Sequence, residues 1–252
     1  MSKTNGKSKR YLKRIAVGFT AWAYILAAAM PHFAAAKEEP EYNPNAMVLF
    51  KYTGDSADDS AFANSFGEVT FVDSGDAEHK NAVRLKAENQ TASVYVNISP
   101  RVPLESGYAV MSWDYKTDNI ASMSYVRAFT DFISVMSESV NDKMFETLMY
   151  GTGSRMGFMQ GLKGFTLNAE TVTIPRDVWQ HTDVWFDLNR RTAKLYVDGK
   201  LVSIEAMPEG FDKFCGFVFN VTPNGGAVTN MLDNICVGYV PSGGYKTGFD
   251  FT

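Results

Sequence analysis

The chain has 252 residues, with 24 Lys and Arg against 28 Asp and Glu, a net charge of −4, and two cysteines. That length suits one domain with a full core and is short for two. The acidic balance excludes a general attraction for nucleic-acid phosphates or anionic membrane surfaces, and the Cys and His residues lack the close spacing of a zinc site.

Residues 1–36 read as an export signal. Lys3, Lys7, Lys9, Arg10, Lys13 and Arg14 form a basic start, Ile15 to Ala29 is apolar or small, and Ala34-Ala35-Ala36 supplies the small residues of a cleavage site. The apolar run is short for a bilayer span, which takes roughly 20 residues, and Pro31 and His32 interrupt it; an uncleaved anchor is the other reading. Removing the six basic residues of this segment leaves 18 basic against 28 acidic residues, a mature net charge of −10 over 216 residues. A secreted or cell-surface protein, free of the membrane after cleavage, is expected.

Residues 37–46, KEEPEYNPNA, form a polar linker. From Met47 the chain shows period-2 runs between turn residues, with little helical periodicity. Strands are predicted at 47–53, 68–72, 82–87, 92–98, 108–117, 124–130, 132–136, 143–150, 164–167 and 171–174. Five more follow at 181–188, 193–197, 201–206, 214–221 and 232–240. Segments 56–64 and 141–149 could instead be helical turns. Many short strands without βαβ spacing predict an all-β, two-sheet antiparallel sandwich over residues 47–240, with 241–252 as a tail.

The stretch from Trp179 to Ala206 is the most informative. In HTDVWFDL, Thr182, Val184, Phe186 and Leu188 share one face and His181, Asp183, Trp185 and Asp187 the other. A register placing Phe186 opposite Leu195 and Val184 opposite Val197 keeps the core face continuous, and sets Asp187 against Lys194 and Trp185 against Tyr196. Asp198-Gly199 then makes a type I′ hairpin, folding Leu201 beside Tyr196 and Val202 beside Leu195. Trp185, Tyr196 and Leu201 form an outward patch, either covered by a loop or the acidic segment or open to a sugar or a partner.

Trp179, VWFDLNRRTAKLYVDGKLV (184–202), the closing strand LDNICVGYV (232–240) and YAVMSWDYKTD (108–118) together resemble the concanavalin A-like lectin/glucanase superfamily, and most of all its laminin-G-like jelly rolls of secreted bacterial proteins. The resemblance implies a curved jelly-roll sandwich whose concave sheet or rim loops bind glycans. It also implies a structural calcium tying the first strand region to the last strand, with Asp233 as the matching ligand and Asp55, beside Asp58 and Asp59, as an acidic partner. The alternative for Asp233 is a cap on the turn before Asn234.

Enzymatic motifs fail. No E-x-D-x-x-E occurs, and Asp183 and Asp187, four residues apart on one strand, stand about 13 Å apart, too far for two-carboxylate hydrolysis. Gln180-His181 lacks the spacing of a Q-x-H lyase strand, and Tyr125 with Arg127 on one face is generic. Nucleophile-elbow, H-E-x-x-H and phosphate-loop motifs are missing as well. Cys215 and Cys236 flank an expected hairpin at Asn224-Gly225-Gly226; they face each other as a disulfide if the turn is centred there, or remain buried thiols. The expectation is a secreted, non-catalytic module binding a polysaccharide or cell-surface glycan through Trp185, Tyr196, Asp183 and His181. The alternatives are a structural or adhesive protein with a protein partner, and a jelly-roll lyase or glycoside hydrolase.

Overall fold

The computed structural model describes residues 47–54, 62, 64–103, 106–120, 123–130, 144–150, 155–159 and 175–241. Its contacts divide the chain after Glu38, and all described residues lie in the second unit. The expected signal helix, Asp55 and the strands expected at 132–136, 164–167 and 171–174 lie outside the described residues.

The strands are β1 (Met47–Tyr52), β2 (Asn64–Phe66), β3 (Glu68–Asp73), β4 (Asn81–Ala87), β5 (Ala92–Pro103), β6 (Tyr108–Thr117) and β7 (Met123–Phe129). They continue as β8 (Met144–Tyr150), β9 (Arg155–Met159), β10 (Gln180–Asp187), β11 (Thr192–Val197), β12 (Lys200–Ala206), β13 (Lys213–Thr222) and β14 (Val228–Val240). Two antiparallel sheets form the jelly-roll sandwich. One has 8 strands in the order β12-β11-β10-β6-β14-β4-β3 with β1 also on β14; the other has 6, in the order β2-β5-β13-β7-β8-β9. Residues 144–149, the helical alternative, are strand, paired to β7 from Ser124↔Met149 to Phe129↔Met144. The short strands β2 and β9 were not expected.

The core lies between the sheets. Central strands contribute alternate apolar side chains: Met111, Trp113 and Tyr115 from β6, Val184 and Phe186 from β10, Phe217, Phe219 and Val221 from β13. Aromatic edges interlock across the layers, with Trp113 against Phe219 at 5.7 Å and Phe186 against Phe214 at 5.4 Å between ring centroids, a favoured T-shaped geometry.

The β10–β11 register differs from the expected one by two residues. Val184 lies opposite Leu195, Phe186 opposite Ala193, Asp183 opposite Tyr196 and Trp185 opposite Lys194. A two-residue slip moves no side chain to the other face, so the hydrophobic pattern could not distinguish the two registers. The connection has the same four residues in number but is shifted by one, to 188–191, with Arg191 at φ 53°. Asp187 accordingly pairs with Arg190, at 3.1 Å, in place of Lys194. The Asp198-Gly199 turn has both residues at positive φ, 49° and 74°, and sets Leu201 opposite Tyr196 as expected. A bulge then brings Ser203, in place of Val202, opposite Leu195.

The long strand β14 is paired along one edge with β6. Along its other edge it changes partner: β4 covers Val228–Leu232 and β1 covers Ile235–Tyr239. Asp233 sits at the changeover, 1% exposed. Its Oδ1 accepts from the Gly54 amide at 2.9 Å, just past β1, and from the Asn234 amide at 2.8 Å, where Asn234 takes φ 48° and the β6 register shifts. Asn81, first residue of β4, donates its side-chain amide to the Gly54 carbonyl at 2.5 Å, and its own carbonyl accepts from Tyr52 Oη. A Cβ on Gly54 would lie 2.9 and 3.0 Å from the two Asp233 oxygens and 3.0 Å from the Asn81 nitrogen. Burial and then the Asp233 charge push the Tyr52 phenol up to about 12.

The disulfide expectation is corrected: Cys215 and Cys236 are free thiols. Strands β13 and β14 belong to different sheets, so no hairpin pairs them. Cys215 also leaves the main core, packing with Phe129, Val218 and Tyr95 on the far side of its sheet and donating to the Thr130 carbonyl. Cys236 alternates with the core residues Ile235 and Val237, which turns it to the far side of the other sheet. The two thiols therefore lie beyond opposite faces of a sandwich whose sheets are about 10 Å apart.

Two outcomes are expected. Gly54→Ala and Asp233→Ala each lower stability by about 2–3 kcal/mol, the scale for a charged hydrogen bond lost or obstructed in a buried site, read by urea unfolding of the full chain; an unchanged midpoint refutes the role of the pin. Alkylation under denaturing, non-reducing conditions adds two labels by mass, whereas an unlabelled chain would restore the disulfide.

Candidate functional site on the eight-stranded sheet

The face of the 8-stranded sheet turned away from the core is polar and aromatic. With Met111, Trp113 and Tyr115 inward, β6 turns Ser112, Asp114 and Lys116 outward; with Thr182, Val184 and Phe186 inward, β10 presents His181, Asp183 and Trp185. The β6–β10 register sets His181 opposite Asp114 and Asp183 opposite Ser112.

Asp114 is the centre of this face. Its Oδ1 meets His181 Nδ1 at 2.6 Å, and its Oδ2 meets His79 Nε2 at 3.0 Å and accepts from Asn234 Nδ2 at 2.6 Å. His181 Nε2 reaches Asp183 Oδ1 at 3.1 Å. His79 Nδ1 lies 3.2 Å from Asp76 Oδ1, and its ring stacks on Trp179 at 4.0 Å and 10° between planes. The Lys116 ammonium stands 4.8 Å from the centroid of the same indole, a cation–π distance. The Asp198 turn docks here too, its Oδ1 accepting from the His181 amide at 2.9 Å and its Oδ2 from Gln180 Nε2 at 3.3 Å.

Carboxylates only accept, so the bonds to Asp114 and Asp183 at its two nitrogens favour the doubly protonated form of His181. Hydrogen bonds to Asp114 and then Asp183 outweigh desolvation and push His181 up to about 10. Burial pushes the Asp114 carboxyl up, but the hydrogen bonds from His181 and Asn234, the His181 charge and the bond from His79 hold it below its usual value. His181 is thus a standing cation between two carboxylates at neutral pH.

Beside this network lie the expected aromatics. Trp185 and Tyr196 are diagonal neighbours across β10 and β11, edge to face at 6.1 Å and 67°, and both are half-buried. Burial and then the Asp183 charge push the Tyr196 phenol up. The structure therefore brings all four expected ligand-binding residues, Trp185, Tyr196, Asp183 and His181, onto one surface. Asp114, His79, Asn234 and the docking of Asp198 were not anticipated. Asp114 does stand in the outward phase of YAVMSWDYKTD, but nothing local shows that β6 lies beside β10.

The arrangement is poorly suited to catalysis. The His181 ring fills the space between Asp114 and Asp183 that a substrate and its water would need in two-carboxylate hydrolysis. Ser112 is a cross-strand neighbour of Asp183 and Cys236, yet both His181 nitrogens are engaged, which leaves that ring no free lone pair to act as its base. The Cys236 thiol is pushed up to about 11 by burial, with Lys51 opposing, so it is protonated and weakly nucleophilic at neutral pH.

The acidic partners expected for a calcium, Asp55, Asp58 and Asp59, lie outside the described residues. Among the described residues no group of three or more His, Cys, Asp or Glu is placed to hold a metal ion, and Asp233 spends Oδ1 on two backbone amides, which is its alternative role as a cap. Asp233 ties the first strand region to the closing strand through a direct hydrogen bond to the Gly54 amide.

With this geometry in hand, the sandwich can be set beside solved structures. The fold is that of the concanavalin A-like lectins and glucanases. A carbohydrate esterase from the Shiga toxin-encoding bacteriophage phi24B superposes with a TM-score of 0.55 at 14% identity, over 78% of this chain and 100% of that one. Basic winged bean lectin, solved with Tn-antigen, gives 0.55 at 5% identity, over 79% and 100%. The binding domain of botulinum neurotoxin DC, solved with SialylT, gives 0.51 at 8% identity, over 78% of this chain and 48% of that one. The chain spans 18% of a sialidase chain. No family model and no curated protein matches the sequence. As a concanavalin A-like sandwich, the domain places its aromatic–acidic face on the broader of its two sheets among the described residues.

The raised His181 value has a consequence for stability. A group raised from 6.5 to about 10 on folding contributes fully below about 6.5, and the contribution is lost as pH rises through about 10. Asp114, held below its usual value, contributes above the ordinary carboxyl range and loses its contribution as pH falls through the lowered value. In an NMR titration the His181 ring is expected to stay protonated at pH 8, and Asp114→Asn to bring its midpoint down by more than one pH unit. A midpoint near 6.5 in the unsubstituted protein refutes the double carboxylate clamp.

Proposed function

We propose that this domain is a non-catalytic carbohydrate-binding module, exported and cleaved after residue 36, that binds a polysaccharide or cell-surface glycan on the outer face of its 8-stranded sheet. The observation that carries the reading is the half-buried Trp185–Tyr196 pair, 6.1 Å apart, directly beside the Asp183 carboxylate. Aromatic faces pack against the C–H faces of sugar rings while a carboxylate accepts from their hydroxyls, the mix of apolar surface and few placed polar groups that small-ligand sites use. The neutral Ser112 and the protonated Cys236 add no competing chemistry to this face.

The lectin-type fold supports the reading, since basic winged bean lectin and the neurotoxin binding domain were solved with Tn-antigen and SialylT respectively. A glycan partner is therefore the expected ligand class, and an acidic export-competent chain suits an encounter outside the cytoplasm.

Affinity electrophoresis of the full chain through gels containing glucan, mannan, galactan, xylan, chitosan, pectate or alginate tests this, each with calcium and with chelator. Retardation by one class is expected, with Trp185→Ala and Tyr196→Ala each weakening it about tenfold or more at an unchanged unfolding temperature, in line with the 1–3 kcal/mol of one stacked ring. Free migration in every gel would shift the reading to a structural or adhesive protein.

A further inference from the structure

Hydrogen-bond capacity on the candidate face is unevenly spent. Both nitrogens of His181 face carboxylates, and its backbone amide is given to Asp198. Asp114 uses Oδ1 for His181 and Oδ2 for His79 and Asn234. Asp183 differs: its described hydrogen bond, from His181, falls on Oδ1, while a carboxylate has about four acceptor positions. Its side chain is 21% exposed against 14% for Asp114. Tyr196 lies directly opposite it and Trp185 two residues along the same strand face.

Resting on the glycan-binding reading, we propose that Asp183 receives the ligand's hydrogen-bond donors, that the ligand is an uncharged or amino-bearing sugar in preference to an acidic one, and that Asp114 is a positioning residue acting through His181. His181, expected to touch the ligand, instead holds Asp183 in place. It fixes one oxygen, on a side chain that is partly exposed and has Tyr196 opposite it and Trp185 on the same strand face.

The charge of the face sets the class of ligand. Asp76, Asp114, Asp183 and Asp198 converge on it, against the His181 and Lys116 cations, and Lys116 is drawn over Trp179. The mature chain around it carries −10. A uronate or sulfate brought to Asp183 meets like charge at short range, whereas sugar hydroxyls donate to it and an ammonium adds attraction.

Asp114 contributes by keeping His181 charged. The charged and titratable groups facing His181 are Asp114 from β6, Asp183 on its own strand and Asp198 at its amide, with Lys116 further along β6 and His79 and Asp76 beyond Asp114. In Asp114→Asn the strongest of these partners is gone, and the ring loses its proton closer to neutrality. At high pH Asp183 then faces a neutral imidazole, which makes a weaker hydrogen bond and is free to switch tautomer, and at low pH a charged one.

The test uses the full chain. Whichever neutral polysaccharide retards it is compared with its carboxymethylated derivative, and chitosan with pectate and alginate, at low and high salt. Binding of the carboxymethylated form is expected to be at least tenfold weaker at low salt, with the gap narrowing at high salt. Asp183→Asn is expected to lose about tenfold in affinity for the neutral ligand while folding normally, since the amide oxygen can still accept from His181 and the side chain is partly exposed. Asp114→Asn should bind severalfold more weakly at pH 8 than at pH 5.5, where the unsubstituted protein is flat. Equal or tighter binding of acidic polysaccharides overturns the ligand class, and a flat profile in Asp114→Asn overturns the positioning role. Binding by no polysaccharide of any charge removes the preceding reading and this proposal with it.

Discussion

The buried Asp233 carboxylate is the constraint on which the larger sheet depends. Strand β14 must serve two neighbours along one edge, and a change of partner leaves backbone groups at the ends of both short strands without ladder bonds. Buried groups of that kind cost free energy unless something accepts or donates to them. Asp233, Gly54 and Asn81 answer this locally: a carboxylate takes the amide past β1, and the first side chain of β4 takes the carbonyl of the same residue. The absence of a Cβ at Gly54 allows the approach. Asn234 at positive φ lets β14 turn its outward phase while keeping its pairing with β6.

That local kink reaches the candidate site. Asn234 emerges from it aimed at Asp114, which anchors His181, which in turn holds Asp183. Chain segments far apart in sequence, 76–79, 112–116, 179–185 and 234, thereby meet in one charged network. Each bond in the sequence ends on a carboxylate and the two to Asp114 are short, the kind that fixes geometry as well as contributing energy. The aromatic pair beside it rests on strand faces, whose side-chain directions the β-sheet enforces.

Sequence patterning revealed those directions well and their neighbours poorly. Alternation in HTDVWFDL and AKLYV placed Trp185, Tyr196, Asp183 and His181 outward, because a period of two is imposed by the pleat itself. It could not choose between registers two residues apart, since both satisfy the same burial. The Asp198-Gly199 turn was legible because positive φ restricts which residues can occupy it. The centrality of Asp114 was not, because it arises from β6 lying beside β10 across 67 residues of chain. The cysteines misled for a related reason: a glycine-rich turn between two apolar runs suggests a hairpin, yet in a jelly roll such a turn also carries the chain from one sheet to the other.

The place of β14 also shapes the order in which the molecule can assemble. It is the last described strand in the chain and lies in the middle of its sheet, and its bond from Asp233 to Gly54 closes a separation of 179 residues. Without that segment, β1, the β3–β4 hairpin and the β6–β10–β11–β12 group have no strand that joins them into one sheet. Folding dominated by such distant pairings is slow, so the larger sheet closes only when β14 takes its place between β6 and its neighbours β4 and β1.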